Sequence, residues 1–281
     1  MPKHIIAFFS PAGSTRCIAN AIHNRLIQKK FDPLLVDLGK KDQSSSENFT
    51  SPLKTPCCLW IGSPVYCDHA VSLVHAFIEQ LPVPASRCHA VPFVTWGGVT
   101  SGLALLEMAQ QLLEKGYIPV GAAKVLSAHS SMWSVAQPLA AGHPDQDDLA
   151  QIHVLVDQIV ANLERPQALF LALDRLDYLS PALRADAASK SLAAAKAAMT
   201  PLTANEEICL QCGACAEGCP VAAITLNPFP VIDRTTCVLC LQCVRNCPQQ
   251  AFPFKGEQLA ARIAGMAAQS DEDKATRIFC P

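Results

Sequence analysis

Residues 209–220 read CLQCGACAEGCP and residues 237–248 read CVLCLQCVRNCP. Both follow the pattern Cys-x2-Cys-x2-Cys-x3-Cys-Pro, and each cysteine of the second set lies 28 positions after its counterpart in the first. Pro220/Pro248, Ala223/Ala251 and Ile224/Phe252 keep the same offset, so the segment is an internal duplication. The spacing has a chemical reason. An iron–sulfur cubane needs thiolates at the corners of a tetrahedron, and three cysteines separated by two residues let one tight loop wrap three corners. The last corner comes from elsewhere, and in a duplicated motif the fourth cysteine of each half serves the other cluster. This assigns Cys209, Cys212, Cys215 and Cys247 to one [4Fe-4S] cluster, and Cys237, Cys240, Cys243 and Cys219 to a second. Zinc ribbons use two Cys-x2-Cys pairs set well apart rather than triplets followed by Cys-Pro. Within the motifs only Glu217 and Arg245 are charged, while Leu210, Val238, Leu239, Leu241 and Val244 can keep water off the inorganic core.

Of the fourteen cysteines, the other six (Cys17, Cys57, Cys58, Cys67, Cys88 and Cys280) are scattered. That is not the layout of a secreted disulfide scaffold. The chain has 281 residues, 50% apolar and 16% charged, with net charge −2 from 22 basic and 24 acidic residues. Such a composition favours a folded protein over a disordered one. No basic stripe stands out, which argues against nucleic acid and anionic membrane as partners. Two uncharged stretches, Cys88 to Leu106 and Val125 to Pro144, carry too many glycine, proline, hydroxyl and histidine residues to span a bilayer. The apolar run Ile5 to Phe9 is too short for a signal peptide. A soluble, cytoplasmic protein is expected.

Residues 1–163 alternate short apolar runs with helical periodicity. Ile5–Phe9, Leu34–Val36, Cys57–Ile61, Ala90–Thr95 and a segment within Tyr117–Leu126 read as five buried strands. Ser14–Lys30, Val71–Gln80, Ser101–Glu114 and Asp147–Leu163 read as helices, and Gly39–Pro56, with Ser44 to Ser46 inside it, as a polar stretch. This alternation predicts a doubly wound α/β domain with a parallel sheet. Residues 164–204 read as a helical connector, periodic over Ala168–Leu179 and alanine-rich over Leu183–Met199, that packs or spaces without chemistry. Residues 205–255 form the cysteine-rich domain. Residues 256–281 follow, with Glu257–Gln269 expected as a helix over the cysteine-rich core and Asp271–Asp273 as a solvated tail.

In doubly wound sheets, ligands bind beyond the carboxyl ends of the strands. Ser10-Pro11-Ala12-Gly13-Ser14-Thr15 follows the first strand and opens the first helix, offering backbone N–H groups and the hydroxyls of Ser10, Ser14 and Thr15 to an anion. Gly-Lys-Ser/Thr and Gly-x-Gly-x-x-Gly are both absent, which excludes an NTPase P-loop and a dinucleotide fingerprint. A hydroxyl-lined cradle suits a terminal phosphate monoester.

The two halves resemble two families. Residues 205–255 resemble bacterial two-cluster ferredoxins, which implies one-electron carriage; the range for such clusters is roughly −700 to +450 mV. Residues 3–163 resemble flavodoxins: Ser10, Gly13 and Thr15 match that family's phosphate loop, while Ala12 lacks a hydroxyl present there. Gly62-Ser63-Pro64-Val65-Tyr66 and Thr95-Trp96-Gly97-Gly98, with Gly102 following, match the two loops that hold the isoalloxazine ring. The resemblance implies bound FMN, with Tyr66 and Trp96 as the aromatic faces. His129, near Met132 and Trp133 after the fifth strand, is placed to overhang the flavin, although each histidine reads first as surface or core edge. Cys67 reads as an inert thiol beside the second loop, and Cys57-Cys58 as packing.

Together the halves resemble flavodoxin–ferredoxin fusions found mainly in anaerobes. The expected function is electron transfer between two [4Fe-4S] clusters and FMN, with redox proteins as donor and acceptor. The alternative is a flavin-dependent oxidoreductase acting on a small molecule and fed by its own clusters. No acid–base pair is visible beside the flavin loops, which favours the carrier.

Overall fold

A computed structural model describes residues 2–40 and 55–281. Most of the polar stretch, including Ser44 to Ser46, lies outside the described residues.

Strand β1 (Lys3–Phe8) leads into helix α1 (Ser14–Gln28), then β2 (Leu34–Asp37) and the long β3 (Cys57–Tyr66). A two-residue β4 (His69–Ala70) folds back on β3, and α2 (Ser72–Glu79) follows. Next come β5 (Cys88–Trp96), α3 (Ala104–Glu114), β6 (Tyr117–Pro119), β7 (Ala122–Leu126) and α4 (Gln146–Leu163). The main sheet runs β2-β1-β3-β5-β7, all parallel, and a final strand β10 (Arg277–Phe279) adds antiparallel to β7. With the short strands set aside, this is the flavodoxin-like strand order, whose ligand site lies at the switch point between β1 and β3.

The period-two alternation of a strand divides the core. Ile5, Ala7, Phe9, Leu59 and Ile61 pack on one face with α2 and α3; Ile6, Phe8, Trp60, Val91 and Phe93 pack on the other with α1 and α4. Cys57 and Cys58 are fully buried within this packing. Helix α4 begins at a capping box built from Asp145 and Asp148.

Several local expectations are corrected. Gly62–Tyr66 is not a loop: the strand continues because Gly62, Ser63 and Pro64 pair with Phe93, Val94 and Thr95, and β4 closes on its end. The expected fifth strand is two strands, β6 and β7, which pair with successive parts of β5. Ala168–Leu179 is not a helix but holds a single 3-10 turn, Leu173–Leu176. The alanine-rich run is broken into α5 (Pro181–Ser189) and α6 (Leu192–Ala198). Lys190 is extended there, and Ser191 restarts the helix by accepting a hydrogen bond from the Ala194 N–H at 3.1 Å. The break is anchored on the first domain, with the His69 ring between Glu107 and the carbonyls of Ala187 and Lys190. Lys190 also pairs with Asp68 at 2.6 Å.

The cysteine-rich segment contributes α7 (Ala214–Glu217), a hairpin of β8 (Ile224–Leu226) and β9 (Pro230–Ile232), and α8 (Gln242–Arg245). Helix α9 (Gly256–Gln269) does not cover that segment: Ala260 and Ile263 pack with Met132, Val99, Val135 and Leu139 of the first domain. Of the expected solvated tail, Asp271 and Asp273 are exposed, and Glu272 alone departs. The Glu272 side chain is 4% exposed and pairs at 2.6 Å with Lys124, itself 4% exposed.

Candidate functional site

At the carboxyl end of β1, Gly13 takes the left-handed conformation (φ 97°) and ends the loop at the start of α1. A Cβ there would meet nothing within 4 Å, so the demand for glycine is conformational. The Gly13 N-cap offers no side chain and the first turn of α1 holds no acid, an arrangement that suits an anion. Ser10 Oγ accepts from the Arg16 N–H at 2.9 Å and keeps its own proton to donate. Thr15, 1% exposed, shares a 2.8 Å hydroxyl contact with Thr95 at the end of β5. Arg16 is drawn aside to Asp37 at 2.6 Å.

Beside this loop lies a cavity of about 220 Å³. Of the residues expected from sequence, Ser10, Ser14, Thr15, Pro64, Val65, Tyr66, Thr95, Trp96 and Gly97 line it. Gly13, Ser63, Gly98 and Gly102 stand back from the wall. The Ser63 hydroxyl donates to the Pro64 carbonyl and accepts from the Val71 N–H, bracing β3 against α2. Gly102 makes room for the backbone, since a Cβ there would lie 1.9 Å from the Asp68 carbonyl oxygen.

Sequence reasoning missed much of the opposite wall. Ser127 to Ser131 follow β7; Leu192, Ala195 and Met199 come from the connector, which therefore does more than space. His129 lines the cavity. Its ring packs over Gly97, where a Cβ would fall 2.6 Å from it, and its Nδ1 accepts from the Ser131 N–H at 3.3 Å. Burial lowers its pKa to about 4, so it is neutral with the proton on Nε2. Trp96 is 1% exposed, and the Lys124 ammonium covers one face of its ring at 4.8 Å from the centroid. Tyr66 is the half-buried aromatic of the wall.

The polar atoms of this cavity bear on what it holds. Among the described residues, seven buried side-chain polar atoms have no hydrogen-bond partner within the protein. Two of them, Trp96 Nε1 and Ser127 Oγ, belong to residues of this wall, where Tyr66 Oη lies beside the Ser130 side chain. Buried donors are normally satisfied, so their presence here fits a polar planar ligand above an anion cradle.

The eight motif cysteines fall into two groups in space. Cys209, Cys212, Cys215 and Cys247 line one small cavity; Cys219, Cys237, Cys240 and Cys243 line another. The duplication is visible in the backbone. Gln211 and Leu239 are both left-handed (φ 55° and 57°), as are Ala222 and Gln250 (φ 51° and 50°). The Ala223 and Ala251 N–H groups donate to Cys219 and Cys247 Sγ at 3.3 and 3.2 Å. Burial pushes the Cys240 thiol up to about 11 and Cys243 to about 12; a metal would supply the charge that deprotonates them.

The two cavities nearest each other share a wall. Val238, Leu239 and Leu241, which flank Cys240, line the flavodoxin-side cavity as well as that of the second cysteine group. Fold and cysteine geometry together define a flavodoxin-like α/β domain joined to a ferredoxin-type dicluster domain.

Comparison with known proteins bears on the second half most directly. Residues 208–251 match the family model of the 4Fe-4S dicluster domain, which implies two [4Fe-4S] clusters in this segment and supports an electron-transfer role. The ferredoxin-type protein FwdE of Methanocaldococcus jannaschii is 44% identical over 55 residues, 19% of this chain and 36% of that protein. The chain thus spans about a third of the length of the curated relative it matches. Among solved structures, a flavodoxin from the domain Archaea aligns with 58% of this chain and 99% of its own at 20% identity and a TM-score of 0.43. Flavodoxin 1 from Bacillus cereus gives 16% identity and 0.44 over 58% and 99%. Rubredoxin oxygen:oxidoreductase from Desulfovibrio gigas gives 17% and 0.46 over 58% and 36%. Among the described residues, no helix is long and apolar enough to cross a membrane.

Proposed function

We propose that this chain binds FMN in the cavity at the carboxyl ends of β1, β3 and β5, and exchanges electrons between that flavin and its two [4Fe-4S] clusters. The observation that carries the reading is the shared wall, where one loop borders both the cavity and the thiols of Cys219, Cys237, Cys240 and Cys243.

In this reading Ser10, Ser14, Thr15 and the first N–H groups of α1 hold the phosphate. Tyr66 packs against the ring, and the buried Trp96 Nε1 and Ser127 Oγ donate to its polar edge. His129 presents a neutral Nε2–H and adds no charge. Leu192, Met199 and Leu241 exclude water. Bound FMN supplies a group that takes up one or two electrons, adapting single-electron clusters to a two-electron carrier. Cys209, Cys212, Cys215 and Cys247 ligate one cluster; Cys219, Cys237, Cys240 and Cys243 ligate the other.

Anaerobic purification with iron, sulfide and flavin analysis tests the reading. The expected content is about eight irons and one FMN per chain, as two cubanes require. Zinc in place of iron, or no flavin after reconstitution, overturns it. Oxidation of a nicotinamide by the purified protein without a partner would replace the carrier with an enzyme.

A further inference from the structure

The duplicated motif contains its own control. Its two halves bind the same kind of group, so whatever cluster binding demands should recur at an offset of 28 residues. What does not recur was set by something else.

Three such departures converge on one place. Gln242 and Arg245 stand where the first half has Ala214 and Glu217. The Gln242 side-chain amide donates to the carbonyl of Pro11, in the loop that opens α1. Arg245 donates from Nη2 to the Ser130 carbonyl at 3.1 Å and lies 4.9 Å from the Trp133 ring centroid, and that ring stacks on Phe254 at 4.7 Å. Leu241 stands where the first half has Gly213. Both are left-handed, at φ 60° and 81°, a conformation glycine takes freely and leucine only at a cost. The leucine is 6% exposed, and its side chain forms part of the cavity wall. By contrast, the cavity of Cys209, Cys212, Cys215 and Cys247 is lined only by residues of the cysteine-rich segment, and Cys212 is exposed.

We propose that the cluster on Cys219, Cys237, Cys240 and Cys243 is the flavin's immediate electron partner, and that Gln242 and Arg245 are positioning residues that clamp its loop against the flavin cavity. The inference rests on the FMN reading above and adds an order to it: flavin, inner cluster, outer cluster, surface. Each passage oxidises the inner cluster by one electron and reduces the flavin by one. A second passage, with two protons from solvent, completes the flavin's reduction, and the reverse direction runs through the same contact. The hydrogen bonds account for Gln242 and Arg245 in place of Ala214 and Glu217. Leu241 keeps a strained backbone because glycine would leave the wall between the two groups open to water.

The test uses the full-length, reconstituted protein with its flavin and iron content measured first. The readouts are the microwave-power saturation of the EPR signal of the one-electron-reduced flavin, and the rate at which flavin colour follows cluster reduction after a flash. Three variants are compared with the parent: Cys240→Ala, Cys212→Ala, and the double variant Gln242→Ala/Arg245→Ala. A reduced inner cluster relaxes the flavin spin, so Cys212→Ala should retain fast relaxation and Cys240→Ala should lose it. The double variant should keep full flavin and iron. Its transfer rate should fall on the order of 10- to 100-fold, the scale on which misplacement by about 1 Å is felt. Arg245→Lys on the Gln242 background should restore part of that loss. Flavin bound normally but relaxed equally in Cys240→Ala and the parent overturns the proposed order. A transfer rate unchanged in the double variant overturns the clamp. Failure of the parent to bind FMN overturns the underlying reading instead.

Discussion

Glu272→Ala tests a charge pair whose two side chains are both buried. The Glu272 carboxylate accepts from the Lys124 ammonium at 2.6 Å, from the Ser101 N–H at 2.7 Å, and from the Ser101 hydroxyl. Both charged side chains are 4% exposed. Removing the carboxylate leaves the ammonium desolvated beside the ring faces of Trp96 and Tyr178, each 4.8 Å from the nitrogen, with one long hydrogen bond to the Asp273 carbonyl at 3.5 Å. Those cation–π contacts exist before the change, so they offset nothing new. The expected loss is about 3–5 kcal/mol for the uncompensated charge. That is a large share of a typical stability of about 5–15 kcal/mol. The structure also says where the loss appears. Glu272 lies shortly before β10, so the least costly response is detachment of that strand from β7, letting Lys124 reach water. Urea unfolding followed by circular dichroism should show the lower stability, and hydrogen exchange should show faster exchange at Ile278 and Phe279. Lys124→Met/Glu272→Leu, which removes both charges, should recover most of it. A change below about 1 kcal/mol in Glu272→Ala, with exchange at β10 unaltered, would refute the reasoning, since it would place the pair in the class of exposed ion pairs.

Thr15→Ala removes the hydroxyl shared with Thr95 and should weaken FMN binding by roughly 5- to 10-fold, about one hydrogen bond, with iron–sulfur absorbance intact; flavin titration reads both. Cys215→Ser should reduce iron content while flavin content stays near normal, and parallel loss of both would show that the halves do not fold independently. Gly97→Ala pushes a methyl to within 2.6 Å of the His129 ring and should lower flavin affinity, whereas Gly102→Ala, 1.9 Å from the Asp68 carbonyl, should lower stability first; equal effects on binding would contradict the placement of the wall. His4 accepts from the Trp60 indole at 3.1 Å and is held neutral by burial, with its pKa lowered to about 4. The unfolded chain binds that proton more readily, so stability is complete above about pH 6.5 and falls as pH drops toward 4, by about 3 kcal/mol from this residue. A flat unfolding free energy across that window would be inconsistent with a neutral His4.

The parts legible in the sequence are those in which local pattern and chemistry coincide. Five apolar runs between helical periods sufficed for the parallel sheet, because each strand is buried on both faces and shows no other pattern. The cysteine spacing sufficed for the two thiol groups, because ligand geometry leaves little freedom. The position of the hydroxyl loop, between β1 and α1, was legible because an apolar run ends there and a helical period begins. What escaped depends on partners distant in the chain. Gly62-Ser63-Pro64 reads as a turn until β5 supplies its hydrogen bonds and Val71 satisfies the serine. Glu272 reads as solvated with its neighbours Asp271 and Asp273 until Lys124 meets it. The lysine over one face of Trp96 also left no mark in the sequence. Three-residue β10 is too short to carry a periodic signal. The clamp residues Gln242 and Arg245 did leave a mark, the break in repeat symmetry, which becomes meaningful once the neighbouring wall is known.

Strand β10 places the dicluster segment between two attachments to the same sheet, the connector on one side and residues 277–279 on the other. The iron-bearing module is therefore tethered at both of its ends and cannot swing out on a single hinge as a mobile arm would. A protease that nicks the connector should leave two fragments that still migrate together. Redox traffic through such an assembly is governed by a fixed span, so changing its speed calls for altering the surfaces in contact rather than lengthening a linker.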